Sequence, residues 1–297
     1  MLYHRNMIEA EALNFLSTTN LTDKVKETYL YFLRSFFEYW YNAHPDADPK
    51  ESNLRHVQAW FKVHPNWSNA TKYSASASLK KFFRYKYGGN HPICQLKIKR
   101  LDPGVQRTLQ KNELMDVLAA INTTSIKGIR DLAIISLMVD TGLRASELCN
   151  LELDRLDLVN QTLSVIVKGG AWAEKLFFDY STNCLENWLN IRQDIAKPNI
   201  KNVFVSVGGK TPGTKITISA LRYLSNTLSK EAGLRHFSPH TFRRTFATLA
   251  TENGAPTRVV QVAGGWKSIR MVEKYTQALK KEAIKPFSPI DKLMFDG

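Results

Sequence analysis

Three short segments carry residue types that could act on a phosphate. The first is Thr141-Gly142-Leu143-Arg144-Ala145-Ser146-Glu147-Leu148, where an arginine follows a glycine turn and opens a new helix. A glutamate three residues on can face that arginine and fix its guanidinium. Arg144 and Glu147 therefore read either as an ordinary helical ion pair or as an anion ligand held in place. The second is Ser238-Pro239-His240-Thr241-Phe242-Arg243-Arg244. Ser238 suits a helix N-cap and Pro239 the first helical position, which sets His240 and Arg243 three apart on one face. A phosphate there would meet a guanidinium fork, an imidazole and the positive end of a helix. The third is Ala263-Gly264-Gly265-Trp266-Lys267-Ser268, ahead of a helix with Ile269, Val272, Tyr275 and Leu279 on one side. Tyr275 thus faces inward, and taken alone both it and Trp266 are most simply core side chains.

The scaffold that must position these segments is mostly helical. Residues 21–43 repeat Val25, Tyr29, Phe32, Leu33, Phe36, Phe37 and Trp40 at three- and four-residue steps. Residues 53–63 form a shorter helix ended by His64-Pro65. Residues 69–87 place Leu79, Phe82, Phe83 and Tyr87 on one side and leave Lys72, Lys80, Arg84 and Lys86 for another, either a solvated face or contacts to a phosphate backbone. Gly88-Gly89-Asn90-His91-Pro92 and Asp102-Pro103-Gly104 break the pattern around the basic stretch Lys97-Ile98-Lys99-Arg100. The expected organisation is a helical domain over 1–88, a linker over 89–106, a second domain over 107–279 and a tail over 280–297. In the second domain, helices begin near Gln110 and run from about Ile126 to Asp140, where Thr141-Gly142 stops them. β-prone runs at 156–158, 162–167 and 176–178, parted by Asn160-Gln161 and Gly169-Gly170, predict a small antiparallel sheet. The fold class expected is mainly α with that sheet.

Composition narrows the partners. The 297 residues carry a formal charge of +14. Residues 1–104 hold 15 basic and 9 acidic side chains, and the remainder 26 and 18, so both parts are basic. A polyanion touching both, of which double-stranded DNA is the commonest, explains that balance. The longest apolar run, from Leu132 to Val139, is interrupted by Ser136 and is far too short to span a bilayer. No signal-peptide core precedes it, and the expected location is cytoplasmic, with no membrane partner. Cys94, Cys149 and Cys184 lie far apart, which argues against a disulfide framework and a zinc site.

Together and in this order, the segments resemble the tyrosine recombinase (phage integrase) family. Its pattern is an arginine in a T-G-x-R-x-x-E-L turn, a lysine in a β-hairpin, H-x-x-R on a helix, a histidine or tryptophan after a glycine, and a tyrosine nine residues later. Those positions are Arg144, Lys168, His240 with Arg243, Trp266 and Tyr275 here. Each motif is weak singly, and five in order are specific. The similarity is close over 107–278 and general before it. Trp266 stands where most members have histidine and Cre-like members have tryptophan. Arg244 stands where many have histidine, with no catalytic loss expected. Lys168 matches the family lysine after the second strand, while Lys175, in the same hairpin, is the rival and reads as a solvated turn residue.

The resemblance implies cleavage and rejoining of DNA through a 3′-phosphotyrosyl enzyme and a free 5′ hydroxyl. Arg144 and Arg243 would neutralise the non-bridging oxygens bidentately, Trp266 would donate its indole N–H, and Tyr275 would attack. His240 would either accept the tyrosine proton or hydrogen-bond the phosphate, and Lys168 would protonate the leaving 5′ oxygen. No cofactor is expected: one phosphoester replaces another, so no ATP is needed, and no acidic cluster suited to Mg²⁺ lies near the motifs. Helices that begin almost at the first residue, with no arm-binding domain ahead of them, fit the simple two-domain, Xer- or Cre-like type, clamped around DNA as a homotetramer. Phe287, Ile290, Leu293 and Phe295 would let the tail pass to a neighbouring protomer. Lys72, Lys80, Arg84, Lys86, Lys97, Lys99 and Arg100 are the candidate DNA contacts. A type IB topoisomerase-like enzyme with the same chemistry, and a DNA-binding regulator of this fold that does not cut, are the alternatives.

Overall fold

The computed structural model describes residues 2–99, 101, 104, 106–167 and 169–276, and the chain divides into two compact units, Met1–Pro103 and Gly104–Gly297. Aromatic repeats at helical spacing organise the first. It contains α1 (Leu2–Ser17), α2 (Asp23–Ala43), α3 (Leu54–Lys62) and α4 (Asn69–Tyr87). α2 buries Phe32, Leu33, Phe36, Phe37 and Trp40, the first four of them in one cluster with Val57, Trp60 and Phe61 of α3 and Leu79, Phe82 and Phe83 of α4. Each such side chain contributes roughly 1.5–3 kcal/mol on burial. Phe36 meets Trp60 edge-on, centroids 5.3 Å apart. The Ser68 hydroxyl caps α4 by accepting from Thr71 N, 3.1 Å away.

Part of the expected linker is packed. Ile93, Cys94 and Leu96 are buried in the first core, and His91 Nε2 pairs with the Lys50 carbonyl at 2.9 Å. Glycine and proline at 88–92 do break the helix, but three apolar side chains within five residues fold the chain back onto it. The second unit opens at Gly104.

That second unit runs α5 (Lys111–Ala119), α6 (Ile126–Thr141), α7 (Ala145–Asn150), β1 (Leu156–Asp157), β2 (Thr162–Ile166), β3 (Trp172–Leu176), α8 (Asp179–Ile195), α9 (Ile218–Glu231), α10 (Pro239–Glu252), α11 (Thr257–Gly264) and α12 (Ile269–Thr276). The strands form one antiparallel sheet in the order β1-β2-β3. α6 lies at the centre, where Ile134, Leu137 and Met138 pack in one cluster with Leu185 and Trp188 of α8 and Phe242 of α10. A smaller cluster of Ala247, Val260, Trp266, Val272 and Tyr275 joins α10, α11 and α12. Among the described residues, no helix is long and apolar enough to cross a membrane.

The third strand lies upstream of its expected place. Pairing runs from Ile166↔Trp172 to Thr162↔Leu176, so Phe177 is a buried connector and Phe178 precedes α8. Of the β-prone Leu176-Phe177-Phe178 run, Leu176 alone pairs, as the last residue of β3, and Phe177 alone is buried. The corrected register also decides which way Lys175 faces.

Candidate active site

Arg144 is held by its backbone as well as its side chain. α6 ends in Gly142, whose left-handed conformation (φ 61°, ψ 28°) turns the chain at a position where a Cβ would stand 2.7 Å from the Phe246 ring. Arg144 follows as the residue before α7. Both oxygens of the buried Glu147 carboxylate serve it. Oε2 accepts from the Arg144 backbone N–H at 2.8 Å and Oε1 from its Nη1 at 2.5 Å. The expected ion pair is thus also the helix cap, which removes much of the freedom an exposed arginine would have.

α10 begins where its proline and N-cap signals place it. Thr241 Oγ1 accepts from Ser238 N–H at 3.2 Å. Arg243, one turn in, is fully buried. Its Nη1 donates to the Gly142 carbonyl, and its guanidinium carbon lies 4.3 Å from the Trp266 ring centroid. Its Nε and Nη2 are buried with no hydrogen-bond partner among the described residues. Burial, then Arg144, pushes its pKa down to about 10. His240 keeps an exposed edge, but the protein packed around the rest of its ring, followed by Arg244, Arg243 and Arg144, pushes its pKa down to about 4. The imidazole is therefore neutral at physiological pH.

Trp266 and Tyr275 complete the group. Trp266 follows Gly265, again left-handed (φ 66°, ψ 43°) at the end of α11. Its ring stacks on Phe246, centroids 6.1 Å apart, and lies 5.7 Å from the Tyr275 ring. Its Nε1 is buried without a hydrogen-bond partner among the described residues. Gln261 clamps it from below: the Gln261 carbonyl accepts from Trp266 N–H and its Nε2 donates to the Trp266 carbonyl, both at 3.0 Å. Arg258 in turn donates to Gln261 Oε1 at 2.8 Å. Tyr275 is 8% exposed. Thr248 Oγ1 donates to the Tyr275 carbonyl at 3.0 Å, and the Arg244 guanidinium carbon stands 5.9 Å from the Tyr275 ring centroid. Sequence spacing gave no sign of Gln261 or Thr248, because each acts on a backbone carbonyl and belongs to no catalytic residue pattern.

Gly264 sets the indole's place. A Cβ there would come within 1.8 Å of Trp266 Cζ3, and since its φ is ordinary, the clash falls on the ring alone. If Trp266 serves the strand cleavage that the family resemblance implies, Gly264→Ala should displace it and slow that cleavage on the order of 100-fold while DNA affinity holds. Unchanged rates of covalent adduct formation would show that the indole is not needed where it stands.

Lys168 lies outside the described residues. Its neighbours are placed: Val167 N–H donates to the Ala171 carbonyl at 2.9 Å, and Gly169 and Gly170 both have positive φ (114° and 84°). Lys175 differs from expectation. It belongs to β3, is only 4% exposed, and donates from Nζ to the carbonyls of Thr141 at 3.0 Å and Ala263 at 2.6 Å. The alternation of the strand turns it inward beside Leu163 and Val165, which also face the core.

In the first unit, Arg84, Lys97 and Lys99 are exposed and Lys72 half-buried. Lys80 is bound to the Leu96 carbonyl at 3.0 Å and Lys86 to Glu11, so these two are engaged within the protein. Arg100 and the tail with Phe287, Ile290, Leu293 and Phe295 lie outside the described residues.

The model of the phage integrase family matches residues 107–282, more than half the chain. The chain belongs to the phage integrase family. It is 29% identical to tyrosine recombinase XerC of Corynebacterium glutamicum over 226 residues, 74% of this chain and 72% of that protein. It is 30% identical to tyrosine recombinase XerD of Listeria monocytogenes over 222 residues, 72% and 74% respectively. Among solved structures, the XerH site-specific recombinase in its post-cleavage complex with palindromic difH substrate matches with a TM-score of 0.71 at 22% identity, covering 90% of this chain and 80% of that one. A lambda integrase dimer bound to a COC′ core site matches with a TM-score of 0.72 at 15% identity, covering 93% and 77%. Those two likenesses support the mainly helical fold with its small sheet.

Proposed function

We infer that this chain is a tyrosine-type site-specific DNA recombinase and that Tyr275 is its nucleophile. The observation that carries the role of the site is a group of buried donors that find no acceptor among the described residues: Arg243 Nε and Nη2 and Trp266 Nε1. Leaving such a group unsatisfied costs about 1–3 kcal/mol. Three of them beside a buried tyrosine make sense where a substrate supplies the acceptors, and a phosphodiester has two non-bridging oxygens to offer. Since Arg243 is fully covered, engaging that phosphate requires a local opening of the site.

The chemistry follows from the groups. Arg144 and Arg243 offset the charge on the non-bridging oxygens, and Trp266 adds a neutral donor. Tyr275 Oη attacks phosphorus and its proton passes to His240, which has an accepting nitrogen because it is neutral. The bond from phosphorus to the 5′ oxygen breaks, and Lys168 supplies that oxygen's proton. The 3′-phosphotyrosyl ester retains the energy of the bond it replaced. A 5′ hydroxyl from a second duplex can then attack it, which exchanges strands without consuming ATP. A tetramer acting on double-stranded DNA in the cytoplasm is the working assembly of this reading, with Lys72, Arg84, Lys97 and Lys99 as backbone contacts.

Two measurements test it. A nicked suicide substrate should trap a covalent protein–DNA adduct, which a silent DNA-binding regulator would not form. Recombinant joints between two cognate duplexes should appear, whereas an enzyme of the topoisomerase type would relax supercoils and form none. The acid is tested separately. A thiolate leaves without a proton, so Lys168→Ala should be slow on ordinary DNA and substantially rescued on a 5′-bridging phosphorothiolate substrate. Arg144→Ala should not be rescued to the same degree. Equal rescue of both variants would remove Lys168 from the acid role.

A further inference from the structure

Arg144 and Trp266 sit in matching surroundings. Each lies three residues beyond the last or next-to-last residue of a helix, across a left-handed glycine: Thr141, Gly142, Arg144 at the end of α6, and Ala263, Gly265, Trp266 at the end of α11. The final carbonyls of a helix have no partner within it and carry the negative end of its dipole. Thr141 O and Ala263 O are two such carbonyls, and the Lys175 ammonium bridges them at 3.0 and 2.6 Å. A lysine on the inward face of β3, in line with Leu163 and Val165 across the sheet, is costly. Burial pushes its pKa down to about 8, Arg243 and Arg144 act in the same direction, and Glu147 opposes them. A hydrophobic side chain would fill that face more cheaply.

We propose that Lys175 is a positioning residue that fastens the turns carrying Arg144 and Trp266 to each other and to the root of the hairpin that holds Lys168. One ammonium, with two of its three protons on the two helix ends, fixes the spacing of a phosphate ligand, an indole donor and the strand leading to the leaving-group acid. Lys175 acts through these groups and does not itself touch the substrate. This rests on the function proposed above, and the test separates the two.

The variants are Lys175→Met and Lys175→Leu, which place apolar volume on a face already lined by Leu163 and Val165. Each is compared with the unaltered protein for melting temperature, DNA affinity and single-turnover adduct formation on ordinary and 5′-bridging phosphorothiolate DNA. The expected result is a folded variant, no less stable than the parent, that binds DNA normally and cleaves both substrates on the order of 100-fold more slowly. Wild-type cleavage would overturn the proposal, as would a fall in melting temperature with the rate intact. Rescue on the phosphorothiolate would also overturn it, because Lys175 would then be the acid itself. A readout independent of activity is the fluorine resonance of 5-fluorotryptophan at position 266, assigned with Trp266→Phe. It should shift in the Lys175 variants, and an unmoved resonance counts against the tie. Failure of the parent protein to form any adduct would instead sink the assigned function, while the fluorine signal would still judge the positioning role.

Discussion

Tyr275→Phe should abolish covalent attachment to DNA and leave DNA binding essentially unchanged. The substitution removes one oxygen, and the ring's packing against Trp266 and Arg244 survives, so the fold has little reason to respond. Loss of the attacking atom should reduce cleavage on the order of 10⁵- to 10⁶-fold, the scale found when other covalent enzymes lose their nucleophile. Adduct yield on a nicked substrate and binding by electrophoretic shift are the two readouts. An adduct formed by the phenylalanine variant would transfer the nucleophile's role to another residue. Loss of binding along with cleavage would mean that the hydroxyl holds the structure together.

Arg243→Met should separate stability from activity in opposite directions. The folded protein disfavours the Arg243 cation, as the drop of its pKa to about 10 reports. That cost is present in full below pH 10, hence throughout the neutral range, and is relieved only as pH rises through the folded value. Two of the three guanidinium nitrogens lack partners among the described residues, and the contact with the Trp266 ring offsets only part of the burial. An apolar side chain of similar length should therefore raise stability by about 1–4 kcal/mol, read as a higher melting temperature. Cleavage should fall on the order of 10²- to 10³-fold or more, the effect of removing one preorganised donor from a developing charge. A variant that melts lower yet still cleaves would show that Arg243 is a structural arginine. Groups kept at a cost in stability belong where function requires them.

Residues whose signal is local were legible in the sequence. Ser238-Pro239 marks the start of α10, Thr141-Gly142 the end of α6, and the spacing of Arg144 to Glu147 their ion pair; the structure has each of them. The aromatic stripe of α2 is buried as its periodicity requires. The failures occurred where a side chain's meaning depends on distant backbone. Lys175 read as a solvated turn residue because Leu176-Phe177-Phe178 looked like the strand. Strand side chains alternate between faces, so where the strand starts and how it pairs decide which of them turn inward, and it was the pairing of Leu163 with Lys175 that turned this lysine toward the site. The packed segment around Ile93 and Leu96 was hidden in a similar way by the glycines and proline beside it. Gln261 and Thr248 had no signature at all, since what they hold are main-chain carbonyls.

The most direct test of the central claim is the chemical identity of the trapped adduct. The protein is reacted with a nicked suicide duplex, the complex is digested with trypsin and nuclease, and the nucleotide-bearing peptide is sequenced by mass spectrometry. Trypsin cuts after Lys274 and Lys280, so the reading advanced here predicts the nucleotide on the peptide 275–280. It should be joined to Tyr275 through a 3′-phosphate, and the released strand should carry a free 5′ hydroxyl. A nucleotide on any other residue, or one joined through its 5′-phosphate, would contradict it.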